Sequence, residues 1–218
     1  MKKCAVLAGL MLSLALDTLV FAMDRSFGQD EQAPLTTALL IVDIQNFYFQ
    51  GGQVPLVGSV EASLQARRVL EAFRAKKLPI IHVRHIPLKP AGLENDPAYA
   101  IHPNVVPEAD EKIIIKRYAN AFRETELLDQ LKQNGFQQLV ICGMQTQMCV
   151  EAAVRAAADF GFKVVVPHEA CATRDLKFEG KVIPAAQVHA AALAAMNGTY
   201  ARVVKTDELI AEIEKNIR

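Results

Sequence analysis

The chain has 218 residues with 24 basic and 24 acidic side chains, so its formal net charge is zero. Such a chain has no net positive field to attract nucleic acid or an anionic membrane surface, and no nucleic-acid partner is expected. Hydrophobic residues make up 51% of the sequence and charged residues 22%, a balance that excludes disordered, collagen-like and coiled-coil proteins. The composition instead fits one globular domain with a short appendage.

The first residues have the pattern of a secretory signal peptide. A basic start at Lys2-Lys3 precedes an apolar stretch, and Val20-Phe21-Ala22 fits a small-residue cleavage site. We therefore expect a signal peptide over residues 1–22, a linker over residues 23–35 and a folded domain over residues 36–218. The mature protein is then expected to be periplasmic or secreted, with no membrane partner.

Asp17 leaves two alternatives open for this segment. A permanent membrane anchor is the weaker one, because the apolar run is short and Asp17 interrupts it. The other is a misassigned start codon in front of a cytoplasmic protein, since an acidic residue is unusual so close to a cleavage site.

From residue 36 onward, apolar runs of strand length alternate with segments of helical period. Several of the runs lack the alternation of a half-solvated strand, so both faces of the resulting sheet are expected to be covered. Six runs are predicted as strands, at Thr37–Asp43, Pro79–Arg84, Lys112–Lys116, Gln138–Gly143, Phe162–Pro167 and Tyr200–Lys205. Helices are predicted at residues 58–76, 124–134, 147–160, 184–197 and 207–217. This order of elements is typical of βαβ units, so the sequence predicts an α/β domain around a parallel sheet.

Polar residues at the carboxyl ends of the strands are candidate site residues, because open parallel sheets bind ligands there. The first predicted strand ends in Asp43 after five apolar residues, and the third ends in Lys116 after three isoleucines. Each has a structural alternative, since Asp43 can cap the next segment and Lys116 can extend its charge to the surface. No G-x-G-x-x-G phosphate loop follows Asp43, which argues against a nucleotide- or flavin-binding module.

Cys149 is a candidate nucleophile. If Thr146 is the N-cap of the helix after the fourth strand, Cys149 is its third residue, where the helix dipole and free N–H groups favour a thiolate. The alternative is a buried cysteine that acts as a small hydrophobic residue, and this describes Cys142 and Cys171 better than Cys149.

Four segments, taken together, resemble the isochorismatase-like cysteine hydrolases. They are Leu40-Ile-Val-Asp43-Ile-Gln45-Asn46-Phe47, Lys116-Arg-Tyr-Ala-Asn120-Ala-Phe122, Gly143-Met-Gln-Thr146-Gln-Met-Cys149-Val150 and Ala170-Cys-Ala-Thr173-Arg-Asp175. The resemblance runs from about residue 36 to residue 210. Its most specific part is the ordered set of an Asp, a Lys and a Gly-x-x-Thr-x-x-Cys-Val motif.

The resemblance implies a three-layer α/β/α sandwich with a six-stranded parallel sheet in the order 3-2-1-4-5-6. It implies a catalytic triad of Asp43, Lys116 and Cys149. It also implies a cis peptide bond between Met144 and Gln145, whose turn would direct the N–H groups of Gln145 and Cys149 at one oxyanion. Relatives in this family are usually oligomers, so a homo-oligomer is expected.

This triad predicts hydrolysis of a C–N bond in a small amide through a thioester. Lys116 and the helix N-terminus are expected to lower the pKa of the Cys149 thiol, while Asp43 accepts its proton and later donates one to the leaving amine. True isochorismatases cleave a vinyl ether without a cysteine, so Cys149 favours amide hydrolysis. Isochorismatase-type or nicotinamidase-like hydrolysis remains open, as does a catalytically silent binding protein on the same fold.

No metal or other cofactor is expected. The resembled nicotinamidases bind a metal through an Asp-x-His pair and a further histidine in the loop after the second strand, and this spacing is missing here. A zinc site built from His82, His85, Asp96 and His102 is conceivable, but solvated loop histidines are far commoner.

Six further residues are candidates for lining or supporting the site. Aromatic residues near the strand ends either line an acyl pocket or belong to the core, and Gln45 is predicted to support Asp43. The set comprises Gln45, Phe47, Tyr48, Tyr118, Phe122 and Thr146. His189, on a strongly apolar predicted helix, is expected to be a hydrogen-bonded core histidine.

Overall fold

The computed structural model describes residues 36–216, so the predicted signal peptide and linker lie outside the described residues. In this part of the chain no helix is long and apolar enough to cross a bilayer.

Nine strands and five helices make up the described domain. The strands are β1 (Thr37–Val42), β2 (Ile80–His85), β3 (Lys112–Lys116), β4 (Gln138–Met144), β5 (Lys163–Pro167), β6 (Cys171–Ala172), β7 (Leu176–Phe178), β8 (Lys181–Ile183) and β9 (Arg202–Val204). The helices are α1 (Ser59–Ala75), α2 (Leu127–Gln133), α3 (Glu151–Asp159), α4 (Ala185–Met196) and α5 (Thr206–Asn216). Short 3-10 turns occupy the loops between them.

The six predicted strands form one parallel sheet in the order β3-β2-β1-β4-β5-β9. This confirms the predicted fold and strand order, with β9 as the sixth strand of the prediction. All six residues of β1 are buried, because the strand is central and helices cover both faces. Helix α1 packs with α5 and α3 packs with α4, and right-handed crossovers place these pairs on opposite faces.

Three short strands were not predicted. The two residues of β6 pair with β4, and β7 and β8 form an antiparallel hairpin. The hairpin turn is Glu179-Gly180, both with positive φ, which is the geometry of a two-residue hairpin loop. Strands of two or three residues are too short to show a hydrophobic period, so the sequence carries little signal for them.

The segment after β4 also differs from the prediction. Residues Thr146–Val150 form a wide turn, in which the N–H of Val150 donates to the carbonyl of Gln145 at 3.2 Å, and α3 begins only at Glu151. Cys149 therefore lies in the wide turn that precedes α3, still close to the N-terminal end of the helix.

Candidate active site

Two charged side chains and one thiol meet at the carboxyl edge of the sheet. Asp43 follows β1, Lys116 ends β3, and Cys149 lies in the turn after β4. Nζ of Lys116 lies 2.7 Å from Oδ2 of Asp43 and 3.3 Å from Sγ of Cys149. The structure thus brings together the three residues selected from the sequence, and Lys116 contacts both of the others.

Lys116 is fully buried, which excludes the alternative of a lysine that extends its charge to the surface. Its ammonium group also donates to the carbonyl of Tyr118 at 3.0 Å and lies 3.4 Å from Nδ1 of His85. Burial acts to lower the pKa of Lys116, but the neighbouring Asp43 and Cys149 outweigh it and raise that pKa above its ordinary value. Lys116 is therefore a buried cation, and its contacts with Asp43 and Cys149 stabilise the charged form.

The thiol of Cys149 does not have the lowered pKa expected from the sequence. Burial and the negative charge of Asp43 raise the pKa of Cys149 to about 12, although Lys116 acts in the expected direction and lowers it. The side chain is only 4% exposed, so loss of solvation of the thiolate is the largest effect. With a pKa this far above its ordinary value, Cys149 is a neutral thiol at neutral pH.

Asp43 occupies a constrained position between β1 and the following turn. Its φ is +50°, in the left-handed region that costs a non-glycine residue about 1–2 kcal/mol. Gly143 on β4 lies against the same backbone, since a Cβ there would be 1.9 Å from the carbonyl oxygen of Val42. Among the described residues, no group donates a hydrogen bond to Oδ1 of Asp43. The carboxylate thus keeps a free acceptor beside the thiol.

Gln45 stabilises the surrounding backbone rather than the Asp43 carboxylate. Its amide nitrogen donates to the carbonyls of His85 at 3.0 Å and Tyr99 at 2.6 Å, and its amide oxygen accepts the N–H of His85 at 2.8 Å. Two of these bonds reach His85 at the end of β2, and the third reaches Tyr99 in the loop that follows β2. The predicted support of Asp43 by Gln45 is therefore replaced by a link between two neighbouring backbone segments.

The peptide bond between Met144 and Gln145 is cis, in agreement with the geometry that the resemblance implied. It lies where β4 passes into the turn that carries Cys149. In the same turn, Thr146 is fully buried, and its Oγ1 lies 2.9 Å from Nδ1 of His189. His189 is thus hydrogen-bonded, as expected from its sequence context, but it is half-buried rather than part of the core.

The sequence as a whole matches one protein family. Residues 37–208 match the Isochorismatase domain. The chain belongs to the isochorismatase-like cysteine hydrolase family. The isochorismatase family protein YddQ of Bacillus subtilis is 39% identical over 185 residues, covering 81% of this chain and 99% of that protein.

Two further relatives show how widely the family resemblance extends. The crystal structure of an isochorismatase from Pseudomonas putida KT2440 has 37% identity and a TM-score of 0.73, and the match covers 79% of this chain and 89% of that one. Maleamate amidohydrolase of Pseudomonas putida is 29% identical over 154 residues, covering 63% of this chain and 72% of that protein. The family and these relatives point to a hydrolase.

Two aromatic residues, Phe47 and Tyr48, follow β1, and both are buried. The ring centroids of Phe47 and Tyr48 are 4.1 Å apart, and both side chains belong to the hydrophobic core. Only Tyr48 brings a polar group to the site, because its hydroxyl accepts a hydrogen bond from Nε2 of Gln145 at 3.4 Å.

The rings of the two aromatic residues that follow β3 have partners of their own. Phe122 packs against Phe160 at the end of α3, with ring centroids 5.3 Å apart, so it is a core residue. The ring of Tyr118 lies under the guanidinium of Arg123 at 3.6 Å. Tyr118 contributes to the site through its backbone carbonyl, a role that its side chain gives no means to predict.

The four residues considered for zinc have separate partners. Nε2 of His82 lies 2.8 Å from Glu111, His85 lies beside Lys116, Asp96 accepts the N–H of Ala98, and the ring of His102 stacks on Phe49. No group of three or more histidine, cysteine or acidic side chains that could hold a metal ion occurs within residues 36–216.

Two residues near the site were missed in the sequence analysis. Gln147 donates to Oε1 of Gln145 at 3.2 Å, and Thr173 donates to Oε1 of Gln147 at 2.5 Å. Thr173 lies directly after β6, and the sequence alone does not show that β6 pairs with β4 beside the turn. Both residues lie in segments that resemble the family, Gln147 within Gly143–Val150 and Thr173 within Ala170–Asp175, and this was the available signal.

Proposed function

We propose that this protein is a cysteine hydrolase that cleaves the C–N bond of a small amide through a thioester intermediate. The observation that carries the proposal is the buried contact of one ammonium group with both a carboxylate and a thiol. Lys116 holds Asp43 and Cys149 together in a water-poor site, where charges interact strongly. This arrangement pairs a nucleophile with its base.

The raised pKa of the thiol determines how the first step proceeds. Because Cys149 is neutral, its proton passes to Asp43 as sulfur forms a bond to the carbonyl carbon. Lys116 then faces a developing thiolate and stabilises it. The carbonyl oxygen becomes an oxyanion, for which we propose the N–H groups of Gln145 and Cys149 as donors.

The second half of the reaction returns each group to its starting state. The oxyanion collapses, the C–N bond breaks, and Asp43 donates its proton to the leaving nitrogen, so that ammonia or an amine departs. Water then attacks the thioester carbon and gives a proton to Asp43. The C–S bond breaks, Asp43 passes its proton to the departing sulfur, and the acid leaves, which restores the thiol and the carboxylate.

The relatives support the choice of an amide substrate. The name of maleamate amidohydrolase describes an enzyme that hydrolyses an amide, and it shares the family of this chain. We propose the same reaction class here, and we propose that it proceeds without a metal ion. Export through residues 1–22 and assembly into a homo-oligomer remain proposals, which N-terminal sequencing and sedimentation analysis of the native protein would test.

A screen for ammonia release tests the proposed activity. Purified protein is incubated with a panel of small amides, beside the variants Cys149→Ala and Cys142→Ala. Cys142 is a fully buried cysteine within β4 and serves as a matched control. We expect wild type and Cys142→Ala to release ammonia from the same amides and Cys149→Ala to release none. Equal release by wild type and Cys149→Ala would contradict the proposed function.

A further inference from the structure

Four side chains form a hydrogen-bonded chain that passes through the turn carrying Cys149. The hydroxyl of Thr173 donates to Oε1 of Gln147, Nε2 of Gln147 donates to Oε1 of Gln145, and Nε2 of Gln145 donates to the hydroxyl oxygen of Tyr48. Every bond runs in the same direction. The oxygen of Tyr48 is thus an acceptor in this chain, and its own hydrogen remains available for another acceptor.

The hydroxyl of Tyr48 is a buried, neutral donor. Burial raises its pKa most, and the nearby Asp43 and Cys149 side chains raise it further, while the hydrogen bond from Gln145 and the charge of Arg174 act in the opposite direction. Tyr48 therefore keeps its proton throughout the neutral pH range. The side chain is only 5% exposed, so bulk water is not its ordinary partner.

The nearest charged acceptor does not use this donor. Asp43 is near enough to influence the pKa of Tyr48, yet Oδ1 of Asp43 accepts no hydrogen bond from the described residues. The carboxylate of Asp43 has Lys116 and the Cys149 thiol as its own neighbours, so the Tyr48 hydroxyl keeps its hydrogen for another acceptor. A buried hydroxyl that donates to no group is costly unless a bound molecule supplies the acceptor.

We propose that the Tyr48 hydroxyl is a third hydrogen-bond donor to the substrate oxyanion, held in place by the side chain of Gln145. The proposal rests on the proposed function, and it makes Tyr48 a catalytic residue. Its ligand class is a carbonyl oxygen that gains negative charge during attack by Cys149. An oxyanion has three lone pairs, so it accepts Tyr48 beside the N–H groups of Gln145 and Cys149.

The hydrogen-bonded chain explains why Tyr48 is suited to this task. Donation from Gln145 polarises the hydroxyl and strengthens its own donation, an effect that accumulates along a one-directional chain. Gln147 and Thr173 act through Gln145 and are positioning residues. They also connect the turn after β4 to the loop after β6, which limits the motion of the donor.

Two reagents separate a role at the oxyanion from a structural role. With 4-nitrophenyl acetate, Cys149 forms a thioester, an oxyanion appears on the acetyl carbon, and 4-nitrophenolate leaves without needing a proton. With iodomethane, Cys149 forms a thioether, iodide leaves, and no oxyanion appears. The test measures the burst of nitrophenolate and the rate of methylation at Cys149, each in wild type and in Tyr48→Phe.

We expect Tyr48→Phe to lower the acylation rate by about 10²-fold, the effect of removing one oxyanion donor, and to leave the methylation rate within about twofold. Gln147→Leu should lower acylation less, with methylation again unchanged. Tyr200→Phe is the matched control, since Tyr200 precedes β9 at the opposite edge of the sheet and stacks on Arg155. Its two rates should equal those of wild type.

Two outcomes would overturn the role of Tyr48. One is acylation of Tyr48→Phe at the wild-type rate, and the other is an equal loss in both reactions, which indicates a structural role. Cys149→Ala shows whether the underlying function has failed instead. If Cys149→Ala keeps the nitrophenolate burst, the proposed nucleophile is wrong, whereas a burst that needs Cys149 and survives Tyr48→Phe contradicts the Tyr48 proposal alone.

Discussion

A buried carboxylate lies at each end of the parallel strands, and the two carboxylates differ in how many protein groups donate hydrogen bonds to them. Near the amino edge, Glu111 accepts two hydrogen bonds from Arg74, at 2.6 and 2.8 Å, and one contact from His82 at 2.8 Å. At the carboxyl edge, Lys116 contacts Asp43 and leaves Oδ1 of that carboxylate without a donor from the described residues. The first carboxylate is saturated by protein groups, and the second is not.

We interpret the Glu111 cluster as structural and the Asp43 cluster as the proposed reactive one. Burial acts to raise the pKa of Glu111, but the hydrogen bonds from Arg74, the backbone of Glu108 and His82 outweigh it and hold that pKa at about 2, so the charge of Glu111 stabilises the fold over the ordinary pH range. At the carboxyl edge the protein keeps a strained Asp43 backbone and a neutral thiol of high pKa. Unsatisfied and strained groups persist where the surrounding fold enforces them, and they are typical of functional sites.

Loss of the nucleophile should have the largest effect. We expect Cys149→Ala to lower amide hydrolysis by about 10⁴-fold or more, because no other group can form the thioester. Thermal unfolding should change little, since the substitution removes a single sulfur atom. A variant that unfolds at the wild-type temperature yet keeps its activity would show that the carboxyl edge is not the reactive one.

Asp43→Asn should lose less activity than Cys149→Ala, and the size of the loss should depend on the leaving group of the substrate. Asparagine tolerates the positive φ of this position, so the fold should be retained. Without a proton acceptor and donor, amide hydrolysis should fall by about 10²- to 10⁴-fold. Acylation by 4-nitrophenyl acetate should fall less, because its leaving group needs no proton. Steady-state rates on both substrates decide the point, and equal losses would contradict the role of Asp43 in leaving-group protonation.

Lys116→Met should reduce stability as well as activity. It removes the cation from a fully buried pair and leaves Asp43 without it, which costs about 3–5 kcal/mol of the free energy of unfolding. Lys112→Met is the matched control on the same strand, since the Lys112–Glu126 pair is exposed at 3.8 Å and should cost under about 1 kcal/mol. Urea unfolding compares the two variants. Similar midpoints for both would show that the buried Lys116–Asp43 pair contributes nothing to the free energy of unfolding.

The amino-edge cluster should govern stability in acid. The pKa of Glu111 falls from 4.5 to about 2 in the fold, so its contribution is complete above pH 4.5 and is lost as the pH drops toward 2. Burial lowers the pKa of His82 below 6.5, so its contribution is complete above pH 6.5 and declines as the pH falls. Stability should therefore fall steadily between pH 6.5 and pH 2.

Glu111→Gln tests this pH dependence. The variant should melt at a lower temperature at pH 7 and lose less stability than wild type below pH 4.5. Glu71→Gln, which removes an exposed pair with Arg67, should leave the curve unchanged. If the Glu111→Gln curve parallels that of wild type, Glu111 does not set the acid response.

The smallest expected effect concerns metal removal. Exhaustive treatment with EDTA should leave amide hydrolysis unchanged, because the proposed steps use only Asp43, Lys116 and Cys149. Loss of activity that zinc restores would contradict this and would require ligands that the carboxyl edge does not bring together among the described residues.

Local pattern was sufficient to predict the strands and to mark three candidate site residues, and the family resemblance grouped those residues into the proposed triad. The runs that became β1 to β5 and β9 are short, apolar and separated by helical periods, and hydrophobic period is set by neighbours in the sequence. Asp43, Lys116 and Cys149 follow such runs, so their place at the carboxyl edge follows from the direction of parallel strands. The strand order came from the resemblance of four segments to a family.

Only the tertiary structure decided the chemistry of these groups. The pKa of Cys149 depends on how completely it is buried and on the distance to Asp43, and neither is written in the local sequence. Gln45 bonds to His85 and Tyr99 because the loop after β2 folds back onto it. Tyr48 meets Gln145 across 97 positions of chain. Burial and long-range hydrogen bonds are properties of packed elements, so they appear only when the sheet has formed.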